Sequence, residues 1–255
     1  MRFIALLALV AACGGGDDDP EVPGEVEGHI EVLEYDGIDL GFITAQFTDA
    51  ALTPEVARDG NCRVYEQPCL GQVGACAAPE GYSAGTLDIA GLWQPLSIEP
   101  GFNNLYIVDG VPRDVFADDA EVTVTAGGDD IDGFSLSAGG VEPLESELAG
   151  AELDPLGDGP ATFSWTPGSG DARVRLEINA ADVCHAGAHW LVLECDAEDT
   201  GSLEISAEVL AAIPRGYSGC GAWLARYRND VVTAGGAETE LLVANADWFN
   251  IFQVR

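Results

Sequence analysis

Residues 173–179 read RVRLEIN, with Val174, Leu176 and Ile178 at alternate positions and Arg173, Arg175 and Glu177 between them. Side chains of a strand point to opposite faces with period two, so this stretch has one face to bury and one to wet. The same short alternation recurs between Gly, Pro, Asn and Asp turns at 27–35, 40–47, 63–66, 85–92, 104–108, 121–126, 133–137, 161–166, 172–179, 189–195, 202–206, 222–228, 240–244 and 248–254. The pattern predicts an all-β chain, an antiparallel β-sandwich of many short strands. The turn-rich WTPGSGD at 165–171 joins two of these strands, which are expected to form a hairpin. Helix is scarce. The best candidate is 206–213, with Ser206 as N-cap and Pro214 as stop, and a second short one covers 54–58. The linker-like run at 152–160 marks the place for any sub-division of the body.

The chain opens with one positive charge, Arg2, and ten apolar residues, FIALLALVAA, at 3–12. A membrane-spanning helix needs about 20 such residues, whereas the h-region of a signal peptide needs only about 7–15. The run ends in Val10-Ala11-Ala12-Cys13. This resembles the lipobox of bacterial lipoproteins, and the resemblance implies lipid attachment at Cys13 and cleavage just before it. Palmitate-type acyl chains would then anchor the chain to a membrane, since stable anchoring takes more than one chain. The expected organisation is a signal peptide at 1–12, a lipidated flexible tether at 13–24 and a β-sandwich body at 25–255. Fully extended, the tether reaches roughly 35–40 Å at about 3.3–3.6 Å per residue. Gly14 follows the cysteine, as in lipoproteins sorted to the outer membrane. The expected location is therefore the cell envelope, on an outer membrane, facing periplasm or exterior.

The body carries a second resemblance. FSWTPGSGDARVRLEI, then HWLVLECDAEDTGSLEISAEVLAAIP, with the earlier CRVYEQPC and SAGTLDIAG, is similar to a pattern in predicted bacterial lipoproteins of uncharacterised function. There a Trp-Thr-Pro strand precedes a cysteine strand, an Asp-x-Gly turn and a short apolar helix ending near Pro. The likeness covers most of Cys62–Pro214 and implies fold and location, with no activity attached.

Among 255 residues, 44 are Asp or Glu and 10 are Lys or Arg, a net charge of −34, and all ten basic residues are arginine. Such a surface repels nucleic acid and anionic headgroups. A hydrophobic content of 47% is enough to build a core. Six cysteines remain beside Cys13: Cys62, Cys69, Cys76, Cys184, Cys195 and Cys220. Export to an oxidising compartment makes them disulfide candidates, with 15 pairings open. Three lie in each half of the chain, so full pairing requires at least one bridge between the halves.

Chemistry-bearing motifs fail their context. Gly81-Tyr82-Ser83-Ala84-Gly85 matches the G-x-S-x-G elbow, but that turn needs a strand before the serine and a helix after it. Here TLDIAGLW follows, and it reads as a strand. His185 and His189 have zinc-ligand spacing, yet the residues between them make a poor helix and Ala186 stands where a metalloprotease has Glu. His29 stands alone. Asp129-Asp130-Ile131-Asp132 approaches a calcium loop, with Gly128 in place of the first ligand and no closing Glu. Trp93, Trp165, Trp190, Trp223 and Trp248 are dispersed, mostly within apolar strands, which suits core packing. The expectation is a non-enzymatic envelope lipoprotein, without cofactor or metal, whose acidic β-sandwich binds or scaffolds. Its alternatives are a calcium- or glycan-binding adhesin-like module and an envelope hydrolase using Ser83 or Asp129 and Asp132.

Overall fold

The computed structural model describes residues 26–35, 40–49, 54–67, 81–148, 151–153, 156–182 and 190–251. The lipobox, Cys13, the tether, Cys69, Cys76, Cys184, His185 and His189 lie outside the described residues. In chain order the strands are β1 (Val26–Tyr35), β2 (Leu40–Asp49), β3 (Glu55–Asp59), β4 (Cys62–Gln67), β5 (Leu87–Ala90), β6 (Leu96–Ile98), β7 (Tyr106–Val111), β8 (Glu121–Ala126) and β9 (Ser135–Gly139). They continue with β10 (Glu145–Ser146), β11 (Glu152–Leu153), β12 (Ala161–Thr166), β13 (Arg173–Ala181), β14 (Trp190–Glu198) and β15 (Ser202–Ile205). After the short helix α1 (Ala207–Ala211) come the long strands β16 (Ser218–Ala234) and β17 (Ala237–Ile251).

The β16–β17 hairpin is the spine. Its tip half pairs through β17 with β1, which continues to β2 and β7. Its base half pairs through β16 with β13, which continues to β14, β4 and β3. Together these form the ten-stranded sheet in which β11 also lies against β17. Pairing is antiparallel except for β1 and β11 against β17, so the large sheet is mixed. Two smaller sheets cover it, β6-β5-β8-β9 and β10-β12-β15.

Two cores result. Val32, Ile43, Phe47, Leu87, Val122, Val124, Leu136 and Val243 pack between the tip half and the four-stranded sheet. Val64, Phe163, Leu176, Ile178, Leu193, Ile205, Leu224 and Phe249 pack between the base half, the three-stranded sheet and α1. The expected apolar face of 173–179 is buried as read, with Val174, Leu176 and Ile178 all at 0% exposure. Between the cores runs a polar seam on the covered face of the large sheet. There Glu34 accepts from the Val115 and Phe116 N–H groups, and Asn245 accepts from that of Leu144.

Two local expectations are corrected. β12 and β13 do not form a hairpin: β12 pairs with β15 and β10, while β13 pairs with β14 and β16. Both strands carry an apolar face, and Phe163 and Trp165 belong to the same core as Val174 and Leu176, so the two stack across that core. The turn between them is a corner. The residues expected as a short helix at 54–58 instead form edge strand β3, paired antiparallel with β4. Pairing with β4 overrides a weak local helical preference. The other expected helix is present as α1, with the Ser206 hydroxyl accepting from the Val209 N–H.

Candidate functional site

The motifs that carry the resemblance meet at one structural clamp. The Trp165 indole N–H donates to Asp199 Oδ1 at 2.6 Å, and the Gly168 N–H donates to Asp199 Oδ2 at 3.0 Å. The guanidinium of Arg226, only 3% exposed, donates to Asp199 Oδ2 at 2.7 Å and to the carbonyls of Thr166 and Pro143. A Cβ on Gly168 would stand 2.7 Å from Arg226 Nε, so only glycine admits this approach. Burial works against the Asp199 charge, but the bonds from Arg226, Trp165 and Gly168 outweigh it and hold the carboxyl below its ordinary range. The Trp-Thr-Pro and Asp-x-Gly signatures therefore fasten the corner between the small and large sheets.

The chemistry-bearing cluster lies on the opposite face of the large sheet, over the spine. Its floor is small and apolar: Ala225, Ala244 and Ala246 are buried, with Leu33, Leu242 and Tyr227 beside them. Longer side chains from both flanks meet above it. From β4, β13 and β14 come Arg63, Tyr65, Arg173, Arg175, Glu177, Glu194 and Asp196; from β1 come Glu31 and Tyr35. The register aligns Arg63, Glu194, Glu177, Trp223 and Trp248 in one row across five strands. Trp223 and Trp248 are direct cross-strand partners and both are half-buried.

The arginines of this face are committed to carboxylates. Arg63 pairs with Glu194 at 2.9 Å, Arg173 with Asp196 at 3.2 Å and with Glu198, and Arg175 with Asp196 at 3.3 Å and Glu240 at 3.5 Å. Arg63 also stacks over Tyr65 and Arg175 over Tyr227, at 5.0 and 4.7 Å from the ring centres. Among the described residues, Glu31 and Glu177 have no ion-pair partner; Glu177 accepts one bond, from Asn179 Nδ2 at 2.8 Å. Burial, with the nearby Glu31 carboxyl, pushes Glu177 up to about 7. Burial likewise raises Glu31, although His29 and Arg175 pull it back. Desolvation and the charges of Glu31 and Glu177 push the Tyr35 hydroxyl far up. The cluster can hold a proton near neutral pH and presents carboxyl, phenol and indole groups together.

The other sequence candidates fall elsewhere. Ser83 is buried in a loop; its Oγ accepts from the Gly85 N–H at 3.1 Å and its N–H donates to Asp130 Oδ2 at 2.9 Å. Strand β5 follows it, with no helix start to supply an oxyanion site. The Asp129–Asp132 loop closes on itself, the Asp129 N–H bonding to the Ile131 carbonyl. His29 is exposed on β1, 3.9 Å from Glu240. Among the described residues, no three His, Cys, Asp or Glu side chains are grouped to hold a metal ion. Cys62 and Cys195, a cross-strand pair of β4 and β14, form a buried disulfide 133 residues apart in sequence. It is a bridge between the two halves of the chain. Cys220 is also disulfide-bonded. Among the described residues, no helix is long and apolar enough to cross a membrane.

No protein-family model matches the chain, and no curated protein does. Among solved structures it is similar to a Ca2+-stabilized adhesin that helps an Antarctic bacterium reach out and bind ice. That likeness has 10% identity and a TM-score of 0.23, over 88% of this chain and 48% of that one. A second is a 1.5-MDa bacterial ice-binding adhesin described for host cell surface retention, at 11% identity and a TM-score of 0.22, over 91% of this chain and 66% of that one. The chain thus spans about half the length of the first structure and under two thirds of the second. Scores this low bear on neither fold nor function.

Proposed function

We propose that this is a lipid-anchored cell-envelope protein whose acidic β-sandwich has a binding or structural role, with no catalytic role for Ser83. The observation that carries this reading is the buried Cys62–Cys195 disulfide, which joins the halves of the chain and suits maturation in an oxidising compartment. It agrees with the export signal and the lipobox ending in Cys13. The lipid at Cys13 is the membrane partner, and the net charge of −34, which repels nucleic acid, supports a reading without a nucleic-acid partner. The face over Ala225 and Ala246 is the recognition surface, because it gathers charged and aromatic groups on a rigid sheet. Fractionation of cells expressing Cys13→Ala tests the anchor: the variant should leave the membrane fraction, and its retention after a high-salt wash would sink the lipobox reading.

One observation favours a glycan as the ligand of that face. Trp223 and Trp248 are cross-strand partners in the row that contains Glu177, and two half-buried indoles beside hydrogen-bonding groups suit sugars. Titrating the protein with oligosaccharides while following tryptophan fluorescence should show saturable change that Trp248→Ala removes.

A further inference from the structure

The most exposed large apolar side chain of the described residues is Phe102, at 97%. Single exposed apolar residues are ordinary on protein surfaces. This one is displayed by a built tip. Phe102–Asn104 form a single 3-10 turn, in which Asn103 and Asn104 both hold left-handed backbone, with φ of 54° and 55°. Such conformations cost free energy and persist where surrounding bonds fix them. Here the Gly101 N–H donates to the Leu105 carbonyl at 2.9 Å and Asn104 Nδ2 donates to the Gly81 carbonyl at 2.8 Å. The Gly81 N–H reaches back to Asn103 Oδ1 at 3.4 Å. The tip is also neutral: 100–108, PGFNNLYIV, holds no charge in a chain with 54 charged residues, 44 acidic and 10 basic.

Its position gives the tip an occupant. The Tyr82 N–H bonds to the Phe47 carbonyl and the Tyr82 hydroxyl to Asp49, so Gly81 and the Phe102 turn sit at the end of β2. Asp49 is the register partner of Val26, the first residue of β1. The tip therefore stands at the end of the body where the chain arrives from Cys13. Twelve residues, 14–25, separate the cysteine from that strand, a contour of about 40 Å at most. A lipid at Cys13 would hold this end within about 40 Å of the bilayer, where even a weak contact gains from a high effective concentration.

We propose that the Phe102 tip is a membrane contact, seating its ring in the interface of the bilayer that holds the lipid anchor and fixing which end of the body faces the membrane. Zwitterionic surface is the matching chemistry, because a chain of net charge −34 is repelled by anionic headgroups. This inference rests on the anchor reading, and the two are separable by experiment.

The photo-crosslinking residue p-benzoylphenylalanine replaces Phe102, or Trp93 as a control. Trp93 is half exposed, in the turn that joins β5 to β6, whereas Phe102 follows β6 at its other end. Two forms are placed on phosphatidylcholine vesicles: the chain purified from membranes, and the chain from Gly14 onward held by an N-terminal histidine tag on nickel-chelating lipid. Absence of lipid on the membrane-purified chain would defeat the anchor reading alone. In the tagged form, severalfold more lipid adduct at position 102 than at 93 supports the contact. Equal labelling at the two positions, none at 102, or an adduct of the size of two chains overturns it.

Discussion

Glu177 sits on the polar side of the alternating stretch that defines β13, yet in the structure that side is half buried, with Glu31 of β1 near enough to act on its charge. Its carboxyl is raised from an ordinary 4.5 to about 7, first by desolvation and then by Glu31. A raised carboxyl binds its proton more tightly folded than unfolded, so the contribution is present at low pH. It is lost as pH climbs from the unfolded value through the folded one. The shift is about 2.5 pH units, 7 less 4.5, and at about 1.36 kcal/mol per unit it bounds the loss at roughly 3 kcal/mol. Glu177→Gln keeps an acceptor for Asn179 and removes the ionisation. Urea denaturation at a series of pH values should show the variant equal to wild type below about pH 4, under the unfolded value, and more stable above pH 7. Equal stability at both ends would mean that Glu177 is ionised without cost.

At the scale of elements, the hairpin turn between β16 and β17 decides whether the spine forms. Ala234 and Ala237 are register partners, leaving a two-residue loop of Gly235 and Gly236 with φ of 57° and 83°. Two-residue turns with positive φ match the twist of the flanking strands, and a β-carbon there is strained. A Cβ on Gly236 would meet nothing, whereas one on Gly235 would lie 2.9 Å from Asp132 N. Gly236→Ala should therefore cost about 1–2 kcal/mol, the left-handed penalty alone, and Gly235→Ala more. Denaturation midpoints of the two variants check the order, and a reversed order would refute the contact with the Asp132 loop.

The same hairpin shows what the sequence reveals of the elements and what it hides. Ala161–Thr166 and Glu121–Ala126 are readable to the residue, because turn residues bound a clean alternation. β17 reads as two strands, 240–244 and 248–254, because Asn245 and Asp247 interrupt the apolar pattern. Both are in fact buried, at 1%, bonding to Leu144 and Ser146 in the segment that crosses between the cores. A polar side chain on a buried face signals a partner, but only the fold says which. The clamp of Trp165, Asp199 and Arg226 is similar: two members lie in the motifs of the resemblance, and Arg226 is in phase with Leu224. Distinguishing a corner from a hairpin at 165–171 needs the stacking of sheets, which period-two alternation does not encode. The cluster around Glu177 was hidden for a related reason, since a wet face by alternation becomes half buried when long side chains meet over an alanine floor.

For the whole molecule, charge imbalance is the dominant electrostatic fact. Ten arginines can neutralise at most ten of 44 acidic side chains, so 34 remain uncompensated. Added salt acts on both populations. It weakens the arginine pairs, but exposed pairs contribute only about 0–1 kcal/mol each, and buried ones such as Arg226–Asp199 are screened least. It also shortens the reach of repulsion among the surplus carboxylates, from a Debye length of about 10 Å at 0.1 M to about 3 Å at 1 M. Repulsion involves many more groups than attraction, so screening should stabilise the fold. The thermal midpoint should rise steadily as sodium chloride goes from about 0.05 to 1 M, and potassium chloride should give the same curve because screening depends on ionic strength. Differential scanning calorimetry at fixed pH reads both series. A midpoint that falls with salt would mean that the arginine networks on the β13–β14 face, few as they are, outweigh the repulsion of the whole acidic surface.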